Sequence, residues 1–439
     1  MLASLFSFSQ VEDYDLSKYK LPDIKRHQLD FEFRSSGQNS SSKYFIENEN
    51  YSDTIKDSNN RFTGNYNLGY SFYQNTKNIQ SSIYAYTYGN YSKTKQDRIN
   101  YSSQDIYSFY NNVALNYDLK YFFTSTNWFV TAAPQFNINY NDYNNRQSES
   151  DWKDLTTSSY IKIGGGIGRI EQVQDFRHAI LLIEEFDKRG VSKRNVTEEE
   201  MIELSTLISQ LKNQRFFDYR KQKEAELVAL DSFFIDKGIV DEKSIQYYTG
   251  LEDIWSYGGL QIRESGNQVL LSIAPGYSFD KNYDDSENNI NENMLMYYNL
   301  SFVSKNPISI KWQTNYEVGL NHVYFKRLQQ QNDNMGEKSY DSRVFVNGQV
   351  GYYPNTRTYF DLSGILALSN ISDEKIFDKE RYGAQLKIST SGYYYISEKL
   401  RVGYSVQYEG TKMGVFNNEV GNTYHKNLYY SLNFNYAIF

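Results

Sequence analysis

The side chains that could do chemistry in this sequence are few and scattered. There are four histidines, His27, His178, His322 and His425, and no cysteine. Nothing in the sequence assembles the histidines into a metal site, and no thiolate is present to ligate one. We therefore expect no metal, no cofactor and no catalytic group.

Two short patterns resemble ligand sites. The run GGGIG from Gly164 to Gly168 is similar to a phosphate-binding loop, but it precedes no helix of a βαβ unit and lacks the lysine. A tight strand bend explains it better. Asp284, Asp285 and Glu287 could bind a divalent cation, but the chain has many polar loops, and one acidic cluster among them is unsurprising.

The composition excludes several classes of protein. The 439 residues contain no apolar run near the roughly 18 that a membrane-spanning helix requires. The formal net charge of −7 gives no basic footprint, so we expect no nucleic-acid partner. Aromatic residues make up 17% of the chain and include 43 tyrosines, a residue that favours the boundary between membrane and water.

Apolar and polar residues alternate along about fourteen segments of the chain. Between Ile308 and Leu320, isoleucine, tryptophan, tyrosine, valine and leucine face one way, and lysine, glutamine, asparagine and glutamate face the other. Successive strand side chains point to opposite faces, so such a segment is a strand with one apolar and one wet face. A buried core would not accept the wet face, which indicates a membrane barrel.

The connections between these strands alternate in length. Short turns such as SKNP and YPNT alternate with long polar stretches at 36–60, 92–104, 142–153, 280–292, 326–340, 369–380 and 410–424. Six strands precede a helical interruption, and eight follow it, starting near Val269, Met294, Ile308, Val344, Phe360, Tyr382, Leu400 and Leu428. Soluble sandwiches have short turns at both ends. We therefore predict an all-β transmembrane antiparallel barrel of 14 strands with a small α-helical insertion.

The wet face of the strands predicts the lining of the barrel. Its inward positions carry charges of both signs, and we expect them to contact water or solute. The lumen candidates are Lys120, Lys311, Glu317, Asp361, Lys387, Arg401 and Glu409. The N-terminal stretch 11–26 could fill the lumen by pairing with Arg343, Glu317 or Arg401.

Residues 171–254 change to a helical period. Thr197 and Glu200 have capping-box spacing, and helices are expected from about Arg215 and near Asp241. The segment replaces one short turn, so it should hang beneath the barrel as a plug-like cap or as a docking module for a protein partner. The candidate docking residues are Phe216, Phe217, Tyr219 and Arg220. A role in stabilising the barrel mouth is the simplest alternative.

Over nearly its whole length the chain resembles the bacterial outer-membrane β-barrel superfamily. The alternating strands, the even strand number and the terminal Phe439 carry the resemblance, although Phe439 lies out of phase with the apolar set Tyr430, Leu432, Phe434, Tyr436 and Ile438. The resemblance implies a location in the outer membrane, contact with its lipid, and two periplasmic chain ends.

The expected domain organisation follows from these elements. Residues 1–26 form an N-terminal periplasmic segment, whose first ten resemble the end of a signal peptide. Barrel strands 1–6 occupy 27–170, the helical insertion 171–254, and strands 7–14 occupy 255–439. The stretch from Trp255 to Ser265 is expected to lead into the barrel rather than to form a strand.

Three functions remain open on this evidence. The leading hypothesis is a channel or transporter for small polar solutes. The alternative is an accessory barrel that holds partners of an envelope assembly, secretion or adhesion complex through the insertion. The third is a hydrolase at the membrane rim, where His322 would need a nearby serine. Serines are abundant enough to supply one by chance, so we favour a histidine at the headgroup level.

Overall fold

A computed structural model describes residues 15–436 of the chain. Residues 21, 49–50, 99–103, 125, 146–149, 214–218, 241–242, 260, 285–287, 330–337, 374–380, 398–399 and 416–417 are excepted. The predicted signal remnant, two residues of the acidic loop (Asp285 and Glu287) and the terminal Phe439 lie outside the described residues.

The described residues form one sheet of fourteen strands, interrupted by four α-helices. The strands are β1 (Ile24–Asn48), β2 (Tyr51–Asn75), β3 (Ile79–Arg98), β4 (Gln104–Phe122), β5 (Trp128–Asn145), β6 (Ser150–Gln172), β7 (Glu264–Asp284), β8 (Asn288–Asn306), β9 (Trp312–Gln329), β10 (Lys338–Tyr352), β11 (Thr358–Asp373), β12 (Arg381–Tyr395), β13 (Leu400–Val415) and β14 (Asn418–Tyr436). The helices are α1 (Gln174–Arg189), α2 (Glu198–Asn213), α3 (Tyr219–Asp236) and α4 (Ile245–Gly258). The predicted six strands before the insertion and eight after it are confirmed.

The strands pair antiparallel with their neighbours in the chain, in the order β1 to β14. This is the meander of an up-and-down barrel. On the two end strands, outward Phe31 is 69% exposed and inward Tyr429 is 54% exposed. Unpaired strand edges are costly in hydrocarbon, so we expect β1 to pair with β14 when the barrel closes in a membrane.

Several strands run further than the sequence predicted. The stretch 36–60, expected to be a loop, forms the ends of β1 and β2, whose register continues to Asn48 opposite Tyr51. Apolar alternation is absent there, but the backbone ladder continues. The alternation therefore reports which part of a strand faces an apolar medium, and it does not report where the strand ends.

The outward face carries an apolar band of nearly constant height. On β9 it extends from Trp312 to His322, and on β10 from Tyr352 to Ser342, which are register partners at both borders. At the lower border the rings of Trp312 and Tyr352 stack with centroids 4.3 Å apart. Ten residues at about 3.3 Å each, tilted by about 40°, give a height of about 25 Å. Outer-membrane barrels have apolar bands of this height.

The glycine run of β6 permits close packing. A Cβ atom on Gly166, which faces inward, would overlap the Val269 carbonyl oxygen and the ring of Phe129. That ring is 1% exposed. Gly168 has a φ of 100°, which L side chains rarely adopt. The glycine run therefore allows neighbouring strands of the sheet to pack closely. It is followed by the end of a strand and not by a phosphate-binding helix.

The four helices form a bundle with a core of its own. Phe186, Leu204, Phe234 and Tyr247 are completely buried in it. The predicted capping box starts α2: the Glu200 amide donates to Thr197 Oγ1 over 3.2 Å, and the Thr197 amide donates to the Glu200 carboxylate over 3.0 Å. None of the described helices combines the length and the apolar character needed to cross a membrane.

Candidate functional site: a polar inner wall and a helical cap

The inward face of the strands carries a network of polar side chains. Lys120 donates to Gln268 over 3.0 Å, and Gln385 donates to Glu409 over 2.9 Å. Lys387 lies directly opposite Glu409 in the register of β12 and β13. Charged side chains from both halves of the chain therefore face the same interior.

Two more of the predicted lumen residues lie near the short-turn end of the wall. Asp361 on β11 is 9% exposed and accepts a hydrogen bond from Gln349. The Arg401 guanidinium lies over the rings of Tyr393 and Tyr395, at 5.3 and 5.6 Å from their centroids. A planar cation above tyrosine faces is an attractive arrangement that also fixes the side chain.

Lys311, predicted to line the lumen, lies one residue before a strand. Strand β9 begins at Trp312, so Lys311 belongs to the preceding turn, where its side chain is exposed. Its neighbour Ile310, predicted to face lipid, is 7% exposed within the core of the helical bundle. The apolar alternation of this segment continues through the turn because the turn packs on the apolar core of the helical bundle. A sequence pattern cannot distinguish such a core from lipid.

A cavity of about 590 Å³ lies on the inner wall between β6 and β10. Lys162, Gln268, Asn299, Glu317 and Arg343 are among its lining residues. Lys162 pairs with Asp118 at 3.5 Å, and Arg343 donates to Gln385 over 2.6 Å. Sequence reasoning did not select Lys162, although its place between two outward isoleucines was a usable signal.

The N-terminal segment packs on the cap and not in the lumen. Leu16 and Tyr19 are 1% and 2% exposed in the core of the bundle. The Tyr19 ring stacks on Phe176 with centroids 5.3 Å apart. For its described residues, the predicted pairing with lumen charges is therefore wrong, because these apolar side chains find a core beneath the barrel.

Asp175 on α1 is the main ionic link between the cap and β1. Its buried carboxylate accepts hydrogen bonds from Arg26 over 3.0 Å, from Lys212 over 2.7 Å and from Ser209 over 2.5 Å. Burial alone would raise the pKa of Asp175, but Lys212, Arg26 and these hydrogen bonds outweigh it and bring the pKa to about 2. The carboxylate is therefore charged across the physiological range.

Two buried arginines hold the cap to the turn between β8 and β9. Arg263 donates to the carbonyls of Ser309, Ile310 and Trp312 over 2.8 to 2.9 Å. Arg177 donates to the Ile310 carbonyl over 3.1 Å. Burial lowers the pKa of both guanidiniums, which nevertheless stay charged at neutral pH. Carbonyl dipoles and the ring of Tyr353 take the place of a carboxylate partner here.

A further contact fixes α4 to the turn between β10 and β11. Arg357 pairs with Asp253 and lies 4.6 Å from the ring centroid of Tyr257. Tyr257 in turn packs edge-on against Tyr395 at 5.5 Å. With the two preceding contacts, this places the cap over the short-turn ends of β1 and of β8 to β12.

The rim near β2 to β7 is less closely covered. A cavity of about 840 Å³ lies there, lined by the N-terminal segment and by the short turns. Its residues include Lys20, Lys77, Asn127, Arg169 and Glu171. The cap therefore covers one side of the short-turn mouth, and this cavity lies on the other side.

The structure describes no side chain of the four predicted docking residues. Phe216 and Phe217 lie outside the described residues, and Tyr219 and Arg220 begin α3 without described side chains. The helix predicted near Asp241 starts at Ile245. The predicted start of the preceding helix, Arg215, lies outside the described residues, which resume at Tyr219 within α3.

The histidines lie apart from one another. His178 is completely buried, contacts the Ile254 carbonyl at 3.0 Å and stacks on Trp255. His322 is on the outward face with Nδ1 2.8 Å from the Ser342 hydroxyl. Among the described residues, no group of three or more potential ligands could hold a metal ion.

Comparison with known proteins gives only distant similarities. No family model and no curated protein matches the sequence. Among solved structures, a bacterial polysaccharide outer membrane secretin is 7% identical over 92% of this chain and 97% of its own, with a TM-score of 0.27. The CymD monoaromatic hydrocarbon channel is 8% identical over 95% and 89%, with a TM-score of 0.24. Pseudomonas aeruginosa OpdQ is 9% identical over 92% and 98%, with a TM-score of 0.20.

Structural similarities with TM-scores this low say nothing about a solute or a protein partner. The fold is established by the chain itself, through fourteen antiparallel strands in meander order, an apolar outward band and a polar inward face. These are the features of an outer-membrane β-barrel that carries a helical insertion.

Proposed function

We propose that this protein is an outer-membrane channel for small polar solutes, with a helical cap over part of its periplasmic mouth. The observation that supports a channel most strongly is the polar inner wall with its cavity of about 590 Å³. Lys162, Glu317 and Arg343 on this wall are ionisable, and such side chains suit a lumen that contains water and polar solute.

The cap has the role of restricting and directing passage. It is fixed over β1 and over β8 to β12, so solute leaves by the cavity of about 840 Å³ on the other side. That cavity is lined by charged residues, including Lys77 and Arg169. A charged rim keeps the passage wet and lets the protein discriminate between ions.

Single-cysteine blocking tests this route directly, because the chain has no cysteine of its own. The full-length Lys77→Cys variant is reconstituted in a planar bilayer and treated with a bulky thiol reagent. We expect a large fall in conductance. Ile245→Cys, at an 83% exposed position on α4, is the matched control and should conduct as before. A block of both variants, or of neither, would contradict the route.

A second candidate function is the docking of a protein partner by the cap. It is favoured by two apolar side chains on the surface of α4, since Ile245 is 83% and Tyr248 47% exposed. Adjacent exposed apolar residues are typical of protein interfaces. Photocrosslinking from position 245 in intact cells should yield one defined adduct. A smear, or the same products from exposed Glu224, would argue against a specific partner.

A further inference from the structure

A polar row crosses the outward face of five neighbouring strands on the long-loop side. Its members are register partners on β8 to β12, namely Tyr298, His322, Ser342, Asn370 and Tyr382. His322 and Ser342 share a hydrogen bond of 2.8 Å. Polar side chains at lipid-facing positions are favourable at the headgroup level, so the row marks the upper border of the apolar band.

An apolar groove lies directly below the polar row. The register partners one step nearer to the short turns are Leu300, Leu320, Val344 and Leu368. These residues and the row line a cavity of about 490 Å³. Because its floor is leucine and valine and it opens toward lipid, the groove suits acyl chains.

Two lysines lie opposite each other above the polar row. Lys326 on β9 and Lys338 on β10 are direct cross-strand partners on the outward face. The rings of Tyr324 and Tyr340 lie between this lysine pair and the row, 5.5 Å apart. No described carboxylate forms an ion pair with either lysine. Like charges directly opposite each other destabilise a sheet, and a bound anion would remove the repulsion.

We propose that the lysine pair, the polar row and the groove together bind one phosphorylated glycolipid of the surrounding membrane. The phosphate lies at Lys326 and Lys338, the sugar hydroxyls meet the polar row, and the acyl chains occupy the groove. Flexible lysine stems let the ammonium groups reach down to a phosphate at the border of the band. A sugar head is favoured because the row offers an imidazole, a hydroxyl, an amide and two phenols, more hydrogen-bonding groups than one phosphate uses.

Lipid binding to the full-length protein in detergent tests the proposal. The ligands are purified lipid A, dephosphorylated lipid A and phosphatidylglycerol, measured by native mass spectrometry. The Lys326→Gln/Lys338→Gln variant should bind lipid A about thirtyfold more weakly. Each basic residue near an anionic lipid contributes about fivefold in affinity, and the variant loses two of them. The control is Lys93→Gln/Lys281→Gln, which removes two outward lysines that face no other lysine across the sheet. It should change binding less than twofold.

Each outcome bears on the assignment. Strong binding of lipid A, weakened by loss of either the phosphate or the lysine pair, supports it. Equal binding of phosphatidylglycerol would overturn the glycolipid and leave a general anionic-lipid site. Unchanged binding by the double variant, or an equal loss in the control, would overturn the site itself.

A single substitution separates binding from folding. In detergent without lipid, Lys338→Gln should unfold at the same temperature as the wild type or higher, because it relieves repulsion with Lys326. With lipid A added, the order should reverse, since the wild type gains more from the ligand. A variant that is less stable without lipid would show that the lysines stabilise the sheet by other means.

Discussion

Replacing Asp175 by asparagine should loosen the cap from β1. The side chain is 0% exposed, and its carboxylate receives Arg26 from β1 and Lys212 from α2. Asparagine keeps the shape but leaves these two cations without their counter-charge. Removing one partner of a buried ion pair costs about 3–5 kcal/mol. A bundle of four short helices cannot absorb a loss of that size without opening.

The stability of the cap should also depend on pH through the Asp175 carboxylate. Asp175 has a pKa of about 2 in the folded protein, against 3.8 as its ordinary value. Because the folded value is the lower one, the stabilisation is complete above about pH 4 and is lost as the pH falls toward 2. The difference corresponds to about 2 kcal/mol. The Asp175→Asn variant should lack this acid-dependent step.

Hydrogen exchange of the amides in 174–213 measures the opening of the cap. In Asp175→Asn, we expect protection to fall by two to three powers of ten, while the barrel strands keep theirs. Asp253→Asn is the matched control, because Asp253 and Arg357 are about one third exposed and such pairs contribute about 1 kcal/mol at most. Unchanged protection in Asp175→Asn, or an equal loss in the control, would refute the assignment of Asp175 as the main ionic link between the cap and β1.

Three further predictions concern the cap, the sheet and its closure. Burial lowers the pKa of His178 well below 6.5, so the cap should lose stability as the pH falls below about 6.5, and His178→Gln should flatten this dependence in a urea titration. Gly166→Val should lower the yield of refolded barrel on a heat-modifiability gel because its Cβ meets backbone, whereas Gly348→Ala, with open space around it, should refold normally. In a third experiment, Phe31 on β1 is replaced by cysteine, and a second cysteine is placed in turn at positions of β14 around Leu432. One such pair should form a disulfide in the membrane-embedded protein. Failure at every scanned position would contradict closure by these strands.

The sequence predicted the architecture well because each barrel strand carries its own signal. Alternation between an apolar and a wet face, together with alternating turn lengths, was sufficient for fourteen strands and for one helical insertion. The same signal misplaced the strand ends, since hairpins that extend into water lose their apolar face but keep their ladder. It also placed Ile310 toward lipid, although this residue packs against the helical bundle.

The candidate site was less accessible to prediction because it depends on contacts between distant segments. Arg26 and Asp175 are 149 residues apart in the chain, and so no local pattern joins them. The buried Arg263 lies in a stretch whose sequence reads as a simple connection to β7. His322 was singled out as a residue of the headgroup level, and its serine neighbour on β10 became visible when the strand register was known.

Ion current through the refolded, full-length protein in a planar bilayer tests the central claim most directly. A channel with a partly covered mouth predicts a steady ohmic current that increases when Asp175→Asn loosens the cap from β1. Its ion selectivity should shift when Glu317, on the wall of the inner cavity, is replaced by glutamine. Silence in both the wild type and Asp175→Asn would contradict the claim and leave the barrel as a scaffold.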